Sequence, residues 1–313
     1  MDANPDTLIE PRSTHWNLSS RVHKLNQFPN QGVACYVKRE DELSCGISGS
    51  KLRKYSSLMP ALVNRGIKHL IIIAGPQSNN LLAALQMARE YQLKVTALLL
   101  KPWSDAIKGN FKFSRLFLDE EEIVWINKGD WSQVTVLAEQ YNAGLKELGF
   151  VLDEGGSVIE SLPGALSLAK DILQNEKELG FSFQHIFVDA GTGFTAAALI
   201  KGLSELGHQA TVHVLLLADR EAVFETKLRH WVGEGCFNVR CFYPHTAKAF
   251  GALNQRIKNE IKVLAKEEGI LADPVYSAKL FCEARRVIVE ESMQGKVLIL
   301  HSGGALTLSG FDL

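Results

Sequence analysis

No stretch of this sequence reaches the roughly 18 consecutive apolar residues that a membrane-spanning helix needs. Cysteine is scarce too. Cys35, Cys45, Cys236, Cys241 and Cys282 are an odd, scattered set without a C-x-x-C pair, which fits a reducing compartment rather than a disulfide framework. The nine histidines form no H-E-x-x-H and no paired spacing with cysteine, so no metal site is expected. An excess of charge is also missing: the net charge is −1, leaving no basic field for nucleic acid or acidic lipid. The opening MDANPDTLIEPRST carries no apolar run of signal-peptide length. Together these absences predict a cytoplasmic protein with a small-molecule partner and neither a nucleic-acid nor a membrane partner.

The 313 residues, 46% hydrophobic and 22% charged, suffice for two domains or one large α/β domain. A Pro- and Asn-rich opening of about 30 residues is expected to wrap the surface before a first strand at 33–38. From His69 the pattern settles. HLIIIA (69–74) and KVTALLL (94–100) are short apolar, β-branched runs with a helical stretch at 79–90 between them, a βαβ unit. Continuous rather than alternating apolar strands imply burial on both faces, hence parallel sheets covered by helices. Helices at 110–118 and 131–148, with strands at 123–127 and 150–153, continue the first series. A second series has helices at 162–179, 195–206, 221–231, 253–268 and 278–292, and strands at 185–189, 211–218, 239–242 and 296–300. The expected architecture is α/β, with two open, twisted, mostly parallel sheets facing one cleft.

One lysine stands out. In Ser48-Gly49-Ser50-Lys51-Leu52-Arg53-Lys54 a glycine turn leads into a helix running from about Ser50 to Asn64, with Lys51 in its first turn. The positive end of the helix dipole disfavours an ammonium there and favours the neutral amine that attacks a carbonyl. The alternative is a solvated surface lysine.

Ligands of open α/β sheets bind at the carboxyl ends of strands, where four turns are unusual. Gly75-Pro76-Gln77-Ser78-Asn79-Asn80 offers more polar side chains than one helix cap needs, with backbone N–H groups suited to a carboxylate. Asp189-Ala190-Gly191-Thr192-Gly193-Phe194-Thr195 has the small residues, hydroxyls and helix start of an anion site. It also matches the G-x-G-x-x-G/A dinucleotide fingerprint. That rival requires an acidic residue about 20 positions on, and Asp219 lies farther away. The other two are Asp273-Pro274-Val275-Tyr276-Ser277 and His301-Ser302-Gly303-Gly304, the latter readable as a plain C-terminal turn. An amine, an anion turn and several hydroxyls suggest an aldehyde cofactor with a phosphate tail.

These motifs resemble a known family, the pyridoxal-phosphate (PLP) enzymes of the tryptophan-synthase-β fold (fold type II), in the branch of D-cysteine desulfhydrase and 1-aminocyclopropane-1-carboxylate (ACC) deaminase. VKREDELSCGISGSKLRK is similar to K-R-E-D…G-G-N-K-x-R-K, AGPQSNN to G-G-x-Q-S-N-H, and EGGS to E-G-G-S-N. DPVYSAK is similar to D-P-V-Y-[TE]-G-K, and HSGG to H-T-G-G. The resemblance implies that Lys51 carries the cofactor and shuttles the α-proton, and that Asn79 meets the phenolic oxygen. Ser78, with Asn79 and Asn80, would take the substrate carboxylate or assist as a base. Gly191, Thr192, Gly193 and Thr195 would hold the phosphate, Tyr276 would stand over the substrate, and Ser277 would face the pyridine nitrogen. It further implies a larger PLP-binding domain from 1–55 plus 158–313, a smaller domain from 56–157, a small amino-acid substrate and a homodimer.

The chain departs from the pattern at Ser50, Asn80, Leu82 and Ser277, the last standing where ACC deaminases carry Glu. A hydroxyl cannot hold the ring nitrogen protonated as a carboxylate would. This favours α,β-elimination with release of a keto acid and ammonia, as in D-cysteine desulfhydrase, over ACC deamination. A dinucleotide-binding oxidoreductase and a non-catalytic binding protein of the same fold are the readings from other classes.

Overall fold

The computed structural model describes residues 16–29, 32–103, 107–233 and 237–313. It contains two sheets. The larger is built from β1 (Val22–Lys24), β2 (Val33–Lys38), β7 (His185–Ala190), β8 (Thr211–Leu216), β9 (Val239–Phe242) and β10 (Gly295–Leu300), in the order β1-β2-β10-β7-β8-β9. Every neighbouring pair is parallel except β1, which runs antiparallel along the edge of β2. The smaller sheet, wholly parallel, has the order β5-β4-β3-β6 from β3 (His69–Ala74), β4 (Lys94–Leu100), β5 (Ile123–Ile126) and β6 (Gly149–Leu152).

The continuous apolar runs behave as two-sided burial requires. All six residues of β3 are buried. On one face of the smaller sheet Leu70 and Ile72 pack with Leu58 and Leu62 of α1 (Lys51–Asn64) and Leu81 and Leu85 of α2 (Asn79–Glu90). On the other, Ile71 and Ile73 meet Val134 and Ala138 of α4 (Val134–Ala143), α3 being the short helix Asn110–Ser114. The larger sheet is sandwiched in the same way. α5 (Leu162–Leu179), α6 (Phe194–Glu205) and α7 (Glu221–Val232) cover one face; α8 (Gln255–Val263) and α9 (Ser277–Glu290) cover the other. Such burial contributes about 25 cal/mol per Å² of apolar surface and is the main source of stability for both layers.

Element ends differ from expectation where local chemistry intervenes. β1 precedes the predicted first strand, with only three residues and half-buried sides, too short for a periodic signal. The helix predicted over 131–148 begins as a 3-10 turn at Trp131–Gln133 and stops at Ala143 before Gly144. The helix predicted over 110–118 stops at Ser114. The one predicted over 253–268 starts after Asn254, whose side chain caps Ile257 N, and ends in a wider π turn at Leu264–Glu268. After β10 the chain forms a 3-10 helix at Ala305–Gly310 rather than a plain turn. The part of the predicted surface wrap that falls on 1–15, and Cys236, lie outside the described residues. Cys35, Cys241 and Cys282 are free thiols.

A buried ionic network fixes α1 to the larger sheet. Arg53 donates through Nε and Nη2 to Glu40 (2.6 and 2.7 Å) and through Nη2 to Asp171 of α5 (2.5 Å). Lys38 of β2 donates to the same Asp171 oxygen and to Asn175 Oδ1, both at 2.6 Å. Burial works against the Asp171 charge, but Lys38 and Arg53 outweigh it and hold the carboxyl below its usual range. Arg53→Ala leaves two buried carboxylates short of a partner. It should lower the unfolding free energy by about 3–5 kcal/mol in urea titrations followed by circular dichroism. Because the Asp171 pKa is depressed on folding, its contribution is present above the unfolded carboxylate value. It should be lost as pH falls below about 4, and Asp171→Asn should flatten that acid limb.

Candidate active site

Three of the four turns open at the carboxyl ends of β3, β7 and β10, the fourth precedes α9, and α1 begins opposite them. They enclose a cavity of about 780 Å³, with Lys51, Asn79, Thr192, Tyr276 and Ser302 in its wall. Lys51 is the first residue of α1. The backbone N–H of the preceding Ser50 donates to Ser302 O (3.0 Å), and Gly49 adopts φ +55, where a Cβ would lie 2.5 Å from that carbonyl. This close approach of two backbones requires glycine at 49. Among the described residues no hydrogen bond holds the Lys51 ammonium. Burial lowers its pKa, opposed by the charges of Asp189 and Asp273. The direction expected from the helix terminus is found, with desolvation as the cause.

Across the cavity the turn after β7 leads into α6, a twelve-residue helix whose first N–H groups have no partner within it. Gly193 caps it at φ +85, and Gly191, Thr192 and Thr195 line the wall beside it. Thr192 Oγ1 lies 3.2 Å from Ser157 Oγ. Lys54, one helical turn after Lys51, donates to Gly155 O (2.9 Å) and stands 4.9 Å from the Phe194 ring centroid. Burial, aided by the charge of Lys51, brings its pKa down to about 7. Backbone donors, two hydroxyls and this ammonium form an anion cradle.

The Gly75–Asn80 turn divides its polar groups between cavity and scaffold. Asn79 Oδ1 accepts from Asn110 Nδ2 (2.5 Å) and Thr307 Oγ1 (3.0 Å), so its carbonyl end is spent and its NH₂ end is free to donate. Ser78 caps α2, its Oγ accepting from Asn80 N (3.1 Å) and Leu81 N (3.3 Å), which leaves the hydroxyl proton to give. Asn80, expected to meet substrate, is buried, and its amide ties α2 to neighbouring structure. The NH₂ donates to Tyr55 Oη (3.0 Å) and Gly155 O (3.3 Å), and Oδ1 accepts from Gly156 N (3.1 Å). Both amide hydrogens are consumed.

Tyr276 lines the cavity with its ring edge-on to Phe250, centroids 5.7 Å apart, and burial raises its pKa. Ser277, expected to face the pyridine nitrogen, is fully buried at the start of α9. Its Oγ donates to Asp273 Oδ2 (2.7 Å) and accepts from Asp273 N (2.7 Å), a reciprocal capping arrangement that holds it away from the wall. Ser302, by contrast, lines the wall, and its Oγ donates to Asp189 Oδ1 (3.0 Å). Of the remaining departures, Ser50 lines the cavity and Leu82 is buried.

No protein-family model matches the chain. It is 26% identical to the ACC deaminase of Cyberlindnera saturnus over 94% of this chain and 92% of that protein. It is 25% identical to the D-cysteine desulfhydrase of Serratia proteamaculans over 96% of each. Among solved structures, an ACC deaminase homologue superposes with a TM-score of 0.83 at 23% identity, covering 96% of this chain and 93% of that one. The chain shares the fold of the fold type II PLP enzymes and is similar to such enzymes over nearly its whole length. Its residues fit that cofactor: a half-buried amine without a hydrogen-bond partner among the described residues faces an anion cradle across one cavity. Lys51 would hold the aldehyde end, the Gly191–Thr195 turn and Lys54 the phosphate, and the Asn79 NH₂ the phenolic oxygen.

Sequence reasoning passed over Lys54, Asp189 and Ser302. Lys54 had a signal, standing one turn beyond Lys51 on the same helix face. No pattern pointed to the Ser302–Asp189 pair, which exists because β10 and β7 are neighbours. Sulfate keeps its charge between pH 6 and 8, whereas Lys54 loses most of its own across its pKa of about 7. Sulfate affinity measured by calorimetry should therefore fall over that range. Lys54→Met should bind about tenfold more weakly at pH 6 and show a flatter dependence.

Proposed function

We propose that this chain is a PLP-dependent lyase that removes the α-proton and a β-substituent from a small amino acid, releasing a keto acid and ammonia as D-cysteine desulfhydrases do. The observation that carries this reading is Lys51, a half-buried amine with lowered pKa, facing an anion cradle and an oriented amide donor. Bound there, PLP supplies an electron sink for the substrate α-carbon. The chain's residues choose which bond breaks. The Lys51 nitrogen takes the α-proton, since it alone of the two candidates has an accepting lone pair; the Ser78 oxygen is occupied by two backbone N–H groups. Ser78 and the neighbouring amides receive the substrate carboxylate as donors. Tyr276 covers the substrate and excludes water, and the β-substituent leaves with its bonding electrons. The enamine that remains takes up water to give the keto acid and ammonia.

Ser277, where ACC deaminases carry Glu, closes on Asp273, so the turn into α9 puts no carboxylate among the described residues of the cavity wall, which favours a substrate with a good leaving group such as thiolate. ACC deamination is the second reading, favoured by Asp189, which brings a carboxylate into the cavity from another strand. The non-catalytic alternative rested on Ser50 and Asn80; the first acts here through its backbone and the second as scaffold. The fingerprint's acidic candidate, Asp219, accepts from Lys227 Nζ at 2.6 Å, which favours an ion pair over ribose recognition. Residues 1–55 with 158–313, and 56–157, would form the two lobes, and a cytoplasmic homodimer is the expected form.

Purified protein given PLP should develop visible absorbance that Lys51→Ala abolishes together with turnover. Pyruvate release from D-cysteine but not from ACC would establish elimination. 2-Oxobutyrate release from ACC would select the second reading, and a coloured protein with no keto acid from either would point to a binding role.

A further inference from the structure

β7 reads His-Ile-Phe-Val-Asp-Ala. Ile186, Phe187 and Val188 are buried, and the half-buried Asp189 that follows them puts a carboxylate into the cavity wall. Keeping a carboxylate in such a place is costly unless a cation or several donors face it. Asp189 has one side-chain donor, the Ser302 hydroxyl, so most of its acceptor capacity is unspent. The other acidic groups nearby are differently placed. Asp273 is saturated by the N–H groups of Val275, Tyr276 and Ser277 and by the Ser277 hydroxyl. Asp219 is paired with Lys227, and Glu154 is exposed. On the cationic side, Lys54 is bonded to a carbonyl and Lys51 has no hydrogen bond among the described residues. A short covalent and hydrogen-bonded path links the two sites: Lys51 follows Ser50, Ser50 N donates to Ser302 O, and Ser302 Oγ donates to Asp189.

We propose that Asp189 is the counter-ion of Lys51, a positioning residue whose carboxylate, oriented by Ser302, holds the proton on the lysine nitrogen. The groups facing it are Lys51 and Lys54 from α1, Asp273 and Tyr276 from the entry to α9, and Glu154 and Asp219 from the cavity wall. Burial and Asp273 push its own pKa up to about 6, against the pull of Lys51 and Ser302, so above that pH it is an anion. Desolvation alone would strip Lys51 of its proton well below the ordinary lysine range, and the Asp189 charge opposes that loss. The amine is thereby kept between two states, able to give a proton up and to take one back. A carboxylate two residues before an anion-binding turn would otherwise weaken that turn.

The inference rests on Lys51 being the reactive amine of the proposed function, but its test is read on the full chain freed of cofactor. Absence of PLP binding would therefore leave its outcome intact. The measurement is the rate of Lys51 acetylation by acetic anhydride from pH 5 to 10, followed by peptide mass spectrometry, with exposed Lys24 as the internal reference. Neutralising the carboxylate removes the charge that stabilises the ammonium. Asp189→Asn, and Asp189→Ser as a second neutral variant, should therefore lower the Lys51 midpoint by about one pH unit or more. Ser302→Ala takes away a donor and leaves the charge, so the midpoint should stay within a few tenths of a unit of the parent. Unchanged midpoints in both folded Asp189 variants would overturn the proposal. So would a shift in Ser302→Ala as large as theirs, since the effect would then be one of packing.

Discussion

Arg53 sits in a pocket of opposite charge, its guanidinium shared by Glu40 and Asp171 and its side chain only 2% exposed. Glu40 follows β2, Asp171 belongs to α5, and Lys38 completes the set from β2, so two cations and two anions close a neutral buried cluster. A planar, bidentate cation is required to meet both carboxylates at once, which a lysine could not do. Lys51 lies two residues before it. Where Lys51 stands is therefore decided by an ion cluster that never touches the cavity. The cost of burying four charges is offset by their mutual pairing, and the return is a helix start held at a defined place beside the sheet.

From that anchor the cavity is assembled by backbone contacts. Ser302 O accepts the Ser50 N–H, and Gly49 permits the approach; Gly155, at φ +72 with Thr192 where a Cβ would go, brings the turn after β6 against the anion cradle. Side chains expected to meet substrate or cofactor hold these backbones together in the structure. Asn80 binds the same turn to α2, and Ser277 closes on Asp273. Asn110 and Thr307 then decide which end of Asn79 faces the cavity, an orientation on which its usefulness as a donor depends.

The electrostatics of the wall follow from the same enclosure. Lys51, half-buried, and Lys54, buried, stand near one another and are both shifted downward, the second also by the charge of the first. An anion in the cradle would relieve that repulsion. Asp189 stands on the same wall with the opposite sign and the opposite shift. Lys54, near 7, and Asp189, near 6, thus titrate close to neutral pH beside a Lys51 that is shifted downward.

The sequence by itself determined the alternation of strands and helices, the two-sided burial of the strands, and which turns face the cavity. Continuous apolar runs such as His69–Ala74 can be buried in only one manner, and glycine-rich turns at strand ends have few other uses. It also singled out Lys51, because a lysine at a helix start after a glycine turn is a local feature. Only the tertiary structure decided the partner of each polar side chain. Whether Asn80 meets a substrate or Tyr55, whether Ser277 faces the cavity or Asp273, and that Ser302 reaches Asp189, depend on strand order and helix packing. Ser302 and Asp189 are 113 residues apart along the chain and 3.0 Å apart in space, a proximity that only the fold sets.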